Sequence, residues 1–468
     1  MNNMDLIFGA PGTGKTTCLI GILEKELKRN DPDRIAYVSF TRKGTYEGRN
    51  RAVEKFGYGE GDLPWFRTLH SIAFKMGHYS KYDMISKKDY KVFSDAMGMR
   101  FTGYYTEEFY NNDDKYLFLN FLERNNIRMA TLALDRFEAI TIYGLVKDNY
   151  ERYKKHTKIV DFTDILEVFI ERNKPLPVDI AIIDEAQDLT TLQWRMCEVA
   201  FRNCKKVYIA GDDDQAIYEW NGADVKYFLG LRGRQTILKQ SYRLQEQILK
   251  YSKRISDEIV NRVYKDFHAI GDEGLLHFYN SVSEVEISPD ETYYFLCRNN
   301  WFLSYHREFL RKQAQVFMDK GVISYKQEEI KAINLFEKVR KTHQMTDSER
   351  AKLSPFMKPV IDLKEPWFNN LNFGNDTIAY YRDLIKNKTD LNKCLITVST
   401  IHGVKGGEAD NVVLILDFTR AVRNNFEINP DSELRCLYVA CTRAKKNLHI
   451  VYSNSKSGYE DFVRMEER

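Results

Sequence analysis

The chain has 468 residues, 43% hydrophobic and 29% charged, which excludes a disordered or fibrous polymer and leaves room for two to four globular domains. A net charge of only +3 excludes a global field that would drive the whole chain onto nucleic acid or membrane, so any polyanion site must be a local groove. The seven cysteines form no CxxC pair or Cys/His metal spacing, and neither a secretory segment nor a membrane-length apolar run is present, which predicts reduced thiols and a cytoplasmic location (host cytoplasm for a phage-encoded chain).

The first element is a short apolar strand, "LIF", that runs into "GAPGTGKT", Gly9 to Thr16. The string fits G-x-x-x-x-G-K-[ST] in full. Backbone N–H groups of Gly9, Ala10, Pro11 (which lacks one), Gly12, Thr13 and Gly14 surround phosphate oxygens in such a loop. Lys15 reaches the β- and γ-phosphates and Thr16 holds Mg²⁺. The helix expected over "CLIGILEKELKR" adds its positive N-terminal end. Two later stretches, "KYDMISKKDYKVFSDAMG" and "EEIKAINLFEKVRKTHQ", carry helical apolar spacing and read as packing elements of insertions.

A phosphate loop needs a metal carboxylate at a neighbouring strand tip. "VDIAIIDEAQD" supplies one: Val178 to Ile183 suits a buried parallel strand, and Asp184 emerges at its carboxyl end. Asp184 is the candidate Mg²⁺ ligand, and Glu185 the base that takes a proton from attacking water. In "KVYIAGDDDQAIYEWNGA" a third strand ends near Gln215, which can sense the γ-phosphate. Tyr218 and Trp220 follow at a spacing of two, which would set both rings on one side of an extended segment. With aromatic content at 13%, core packing is the ordinary account of rings. Joined to a phosphate sensor, these two read instead as base-stacking platforms.

Further along, "LKQSYRLQEQI" offers Arg243 beside Tyr242, and "ELRCLYVACTRAKKNLHIVY" reads as helix, Arg443, strand. Either arginine could neutralise transition-state charge, or make an ordinary surface ion pair. "ITVSTIHGVKGGEADNVVLILD" is a strand-loop-strand unit with Thr400, His402, Lys405 and Glu408 in the loop.

The ordered set "GAPGTGKT", "SFTRKG", "RTLHSIAFK", "DFTDIL", "DEAQD", "GDDDQAIYEWNGA", "QSYRL", "STIHGVKGGEAD" and "LYVACTRAKKNL" resembles superfamily 1 helicases of the UvrD/Rep type, from Gly9 to about Leu448. The resemblance implies an α/β fold: two RecA-like P-loop domains of parallel sheets flanked by helices, each with a largely helical insertion. The first lobe would comprise residues 1–74 and 158–240, its insertion 75–157. The second would comprise 241–310 and 392–468, its reduced insertion 311–391. The catalytic set implied is Lys15, Asp184, Glu185, Gln215, Arg243 and Arg443. Tyr242 would stack on adenine and Glu408 bind ribose, with Thr17 next to the phosphate loop. Phe40, Tyr218 and Trp220 would stack on bases. Thr41, Lys43, Thr68, His70, Thr400 and His402 would contact the DNA backbone. The implied activity is an ATP- and Mg²⁺-dependent translocase on single-stranded DNA that unwinds duplex 3′ to 5′. Its partners would be single strands, single-strand/duplex junctions and proteins of replication, repair or recombination. The alternative is a DNA-stimulated ATPase that remodels protein–DNA complexes with little unwinding.

Three departures stand against the family pattern. Asn221 occupies a position usually held by Arg, and the second insertion is short. Only Met1 to Met4 precede the first strand, where the family usually carries a glutamine that reads adenine, and Thr17 replaces a frequent arginine. Base discrimination is therefore expected to be loose. Comparing kcat/KM for ATP and GTP should give a ratio below about a hundredfold; a larger preference, above about 2.7 kcal/mol, would sink the expectation.

Overall fold

The computed structural model describes residues 1, 3–40, 42–104, 113–125, 136–271, 274–453 and 458–459; the side chains of residues 42, 43, 47, 60 and 136–140 are outside that description. Two compact units emerge. One comprises residues 1–273 with 424–442, the other residues 274–423 with 443–468.

In the first unit the chain runs β1 (Met4–Gly9), α1 (Lys15–Leu27), β2 (Ile35–Ser39), α2 (Arg42–Phe56) and α3 (Leu69–Gly77). Helices α4 (Lys87–Met97), α5 (Asp114–Arg124) and α6 (Arg136–Thr157) follow, then α7 (Phe162–Arg172), β3 (Ile180–Asp184) and α8 (Thr191–Ala200). Strand β4 (Lys206–Gly211), α9 (Val225–Gly230), β5 (Arg234–Leu238) and α10 (Glu246–Asp257) complete the run. The sheet order is β2-β3-β4-β1-β5, every pairing parallel. Strands β2 and β3 are buried at all five positions, as an unbroken apolar run covered by helices on both faces requires. Helix α1 follows from sequence directly: Leu19, Ile20, Leu23 and Leu27 recur at helical spacing and are its buried face.

The second unit begins with β6 (Leu275–Tyr279), β7 (Tyr293–Cys297) and α11 (Leu303–Lys312). It continues with β8 (Phe317–Asp319), β9 (Val322–Ile323), α12 (Gln327–Thr342), α13 (Asp347–Leu353), α14 (Trp367–Asn370) and α15 (Asn375–Lys386). Strands β10 (Ile396–Thr400) and β11 (Ala409–Ile415), helix α16 (Arg420–Ile428) and strand β12 (Ala444–Val451) end the run; α17 (Pro430–Cys441), which precedes β12 in sequence, belongs to the first unit. The sheet order is β6-β12-β11-β7-β10-β8-β9, parallel except for the β8–β9 hairpin. Two mostly parallel sheets flanked by helices are the α/β architecture expected from sequence.

Three placements differ from the sequence reading. Residues 241–273 lie in the first unit rather than the second, anchored there by Ser241 Oγ on Pro11 O at 2.9 Å and Tyr242 N on Gly12 O at 2.8 Å. Helix α17 also lies in the first unit, because Arg435 binds Asp213 O, Asn261 O and Glu219. Strand β8 falls inside the stretch assigned to the second insertion, yet it pairs with β10 as part of the sheet.

The "DFTDIL" segment turns out to be a structural anchor. Asp161 caps α7 by accepting from Thr163 N and Asp164 N. The same carboxylate takes Lys154 Nζ at 2.8 Å and Arg124 Nη1 at 3.1 Å, so α5 and α6 are tied to α7. Lys154 is 3% exposed. Burial opposes charge on Asp161, but Lys154 and Arg124 outweigh it and hold the carboxyl below its ordinary range. Removing one partner of a buried pair strands the others. Asp161→Ala is expected to cost about 3 kcal/mol in urea unfolding, with Asp161→Asn, which keeps the cap acceptor, milder; an unchanged midpoint for Asp161→Ala would refute the anchor.

Candidate nucleotide and nucleic-acid site

The loop after β1 is shaped by close backbone approach. Gly12 has φ +72°, and a Cβ there would meet Arg243 Cβ at 2.4 Å, so only glycine fits. Gly14, also left-handed, opens α1. Thr13 Oγ1 donates back to Ala10 O at 2.8 Å and closes the turn. Lys15 Nζ lies over the loop, donating to Gly9 O at 2.7 Å. Thr17 is exposed on the next turn.

Behind the loop, Thr16 Oγ1 donates to Asp184 Oδ2 at 3.1 Å, and the hydroxyl of Tyr37 donates to the same oxygen at 3.1 Å. Burial, then the neighbouring Glu185 charge, pushes the Asp184 carboxyl up to about 6. Glu185 has φ +53°, a conformation non-glycine residues rarely hold unless their surroundings impose it. It is fixed there by Gln187, whose Nε2 donates to Glu185 Oε2 at 2.6 Å while its Oε1 accepts from Asp212 N at 3.0 Å. Gln215 Nε2 donates to Asp212 Oδ2 at 2.6 Å. Burial raises Asp212, but Lys265 and then Lys15 outweigh it and hold it below the carboxylate range. Thus Thr16 bonds Asp184 directly, Gln187 and Asp212 link Glu185 to Gln215, and the charge of Lys15 acts on both Asp184 and Asp212.

The residues suit Mg²⁺. One buried carboxylate and one hydroxyl are hard oxygen donors. Among the described residues, no group of three or more His, Cys, Asp or Glu could form a metal cage. Mg²⁺ is normally held by one or two carboxylates plus substrate phosphates rather than by a cage.

Arg243 packs against Gly12, and Tyr242 is 69% exposed beside it. Arg443 is buried in the second unit, where its Nη1 donates to Gly407 O at 3.1 Å and its carbonyl accepts from Ala409 N. Glu408, exposed, lies between these two positions. Thr400 ends β10, and its Oγ1 accepts from Gly403 N at 3.4 Å, beside His402.

The aromatic residues depart from the extended-segment expectation. Glu219–Asn221 is a 3₁₀ turn, which sends the two rings to different neighbours. Tyr218 stacks on Phe40, centroids 5.7 Å apart, whereas Trp220 lies against Phe118 at 6.3 Å. Thr68 caps α3 by accepting from Ser71 N. With His70 it lines a cleft of about 370 Å³ whose charged lining residues, Arg49, Arg67 and Lys81, are all cations. Burial holds His70 down to about 4, so it is neutral at pH 7. Thr41 and the side chain of Lys43 lie outside the described residues.

Sequence reasoning missed Tyr37, Gln187 and Lys265. Gln187 stood inside the quoted "DEAQD" string; Tyr37 sat in an ordinary apolar strand and Lys265 in a stretch of mixed charge.

Nucleotide-type loops on paired α/β sheets define a broad class of P-loop proteins, and comparison narrows it. The UvrD/REP helicase N-terminal domain model matches residues 1–235, and the UvrD-like helicase C-terminal domain model matches 395–451. The chain belongs to the UvrD/REP helicase family. DNA helicase II of Salmonella typhimurium is 26% identical over 298 residues, 58% of this chain and 41% of that protein. ATP-dependent DNA helicase PcrA of Staphylococcus aureus is 23% identical over 313 residues, covering 60% and 41%. ATP-dependent DNA helicase Rep of Buchnera aphidicola is 22% identical over 278 residues, covering 53% and 40%. The matches thus span about two-fifths of these relatives. A solved arterivirus nonstructural protein 10 (helicase) aligns at 11% identity with a TM-score of 0.36, over 96% of this chain and 59% of that one.

Proposed function

We propose that the chain is an ATP- and Mg²⁺-dependent translocase on single-stranded DNA that separates duplex strands with 3′ to 5′ polarity. The observation that carries this is the continuity of one loop. Gln215, tied to Asp212, is three residues from Tyr218, which stacks on Phe40. A change at the γ-phosphate therefore has a short covalent route to a ring pair.

In this reading Lys15 neutralises the β- and γ-phosphates. Thr16 and Asp184 hold Mg²⁺, which would supply charge neutralisation of the phosphates. Glu185 takes the proton from the attacking water, Gln215 reads the γ-phosphate, and Arg243 and Arg443 stabilise transition-state charge. Tyr242 supports the base and Glu408 the ribose. Phe40, Tyr218 and Trp220 stack on DNA bases. Thr41, Lys43, Thr68, His70, Thr400 and His402 hold the backbone, with His70 acting as a neutral hydrogen-bonding group. Junctions are the proposed substrate, and proteins of replication, repair or recombination the proposed partners.

The test is strand displacement with ATP and Mg²⁺ on 3′-tailed, 5′-tailed and blunt duplexes. The 3′-tailed duplex alone should open. If none opens while single strands still stimulate hydrolysis, the remodeller of protein–DNA complexes replaces the helicase. Opening of the 5′-tailed duplex alone would reverse the polarity.

A further inference from the structure

The second unit carries a ring that none of the assigned contacts uses. Trp301 is 76% exposed. The other four tryptophans differ: Trp65, Trp194 and Trp367 are buried, and Trp220 is half-buried. Indole buries more apolar surface than almost any other side chain, so leaving it in water forfeits a large hydrophobic gain. Tyr305, four residues on and 43% exposed, is one helical turn away on α11. Tyr305 has Phe302 as a ring neighbour at 6.2 Å.

The position in the sheet gives the exposure a meaning. Trp301 lies in the turn that follows β7, at the carboxyl edge where ligands bind in open parallel sheets. Strands β7 and β10 are adjacent with Cys297 opposite Thr400, and Ile401 N donates to Cys297 O at 3.1 Å. The segment Thr400–His402 therefore runs beside the end of β7. On the other flank, Thr419 N donates to Asn299 Oδ1 at 3.0 Å, which brings the start of α16, with exposed Arg420 and Arg423, to the same turn. Of the nearby acids, Asp417 is buried and accepts from Ser453 Oγ at 2.7 Å. At the start of α16 the exposed charges are Arg420 and Arg423, and the helix's one acid, Glu427, lies a turn further along.

An exposed ring in a turn flanked by the arginine-bearing start of α16 and by the Thr400–His402 segment matches the chemistry of single-strand binding: a π face for any base and cations for the phosphates. We infer that Trp301 is a base-stacking platform for single-stranded DNA in the second unit, with Arg420 and Arg423 neutralising the adjoining phosphates. The inference rests on the proposed DNA-binding reading. It adds a contact on a different element from Phe40, Tyr218 and Trp220.

The test uses the full chain, a dye-labelled oligothymidylate and fluorescence anisotropy at fixed salt without nucleotide. Trp301→Ala should weaken binding roughly five- to a hundredfold, and Trp301→Phe should stay within about threefold of wild type. DNA-independent hydrolysis should be unchanged in both. Arg420→Ala should weaken binding and flatten its salt dependence by about one phosphate contact. Equal affinity of Trp301→Ala and wild type would overturn the platform while leaving the DNA-binding reading intact. Failure of wild type itself to bind would defeat the wider reading, and the platform with it.

Discussion

Lys265 carries its charge with no solvent exposure among three carboxylates, Asp213 at 2.6 Å, Asp214 at 3.0 Å and Asp212 at 3.3 Å. Taking such ions out of water costs several kcal/mol each, and the attraction repays it only when the remaining lone pairs are satisfied. Here they largely are. Arg262 forks onto Asp214 through two bonds of 2.8 and 3.0 Å, Val263 N donates to Asp213, and Gln215 donates to Asp212. Burial and the two neighbouring acids still push Asp214 up to about 6, while Lys265 stays above its ordinary value despite burial. These ion pairs and hydrogen bonds tie down the loop after β4. It holds Gln215 on Asp212, and Arg435 of α17 donates to Asp213 O in the same loop.

The rest of the first unit's chemistry depends on that clamp. Asp212 N is the point on which Gln187 rests, and Gln187 fixes Glu185 at its positive φ. A carboxylate in a sparsely populated backbone conformation is positioned by its neighbours rather than by its own preference. The hydrogen bonds from Thr16 and Tyr37 do the same for Asp184. The protein's own hydrogen bonds thus position the proposed acid–base and metal groups, as electrostatic preorganisation demands.

Much of this was legible in the sequence because it is local. The phosphate loop, its helix and the apolar strands before Asp184 and Gln215 are written in contiguous residues, and glycine spacing and β-strand runs identify them. What was hidden is long-range. Lys265 meets Asp212–Asp214 across about fifty positions, and Arg435 meets Asp213 across more than two hundred. No spacing rule reports such partners. The same is true of the contacts that residues 241–273 and α17 make with Pro11, Gly12 and Asp213. The Tyr218–Trp220 pair failed for a nearer reason: Gly222, at φ +94°, ends a 3₁₀ turn, and alternation holds only in extended chain.

The most direct test of the central claim is phosphate release from ATP, with and without an oligothymidylate, in wild type and Glu185→Gln. The account predicts stimulation in wild type and a loss of at least a hundredfold in the variant with ATP affinity retained, since charge and proton acceptance are removed without changing shape. Stimulated hydrolysis persisting in Glu185→Gln would contradict it.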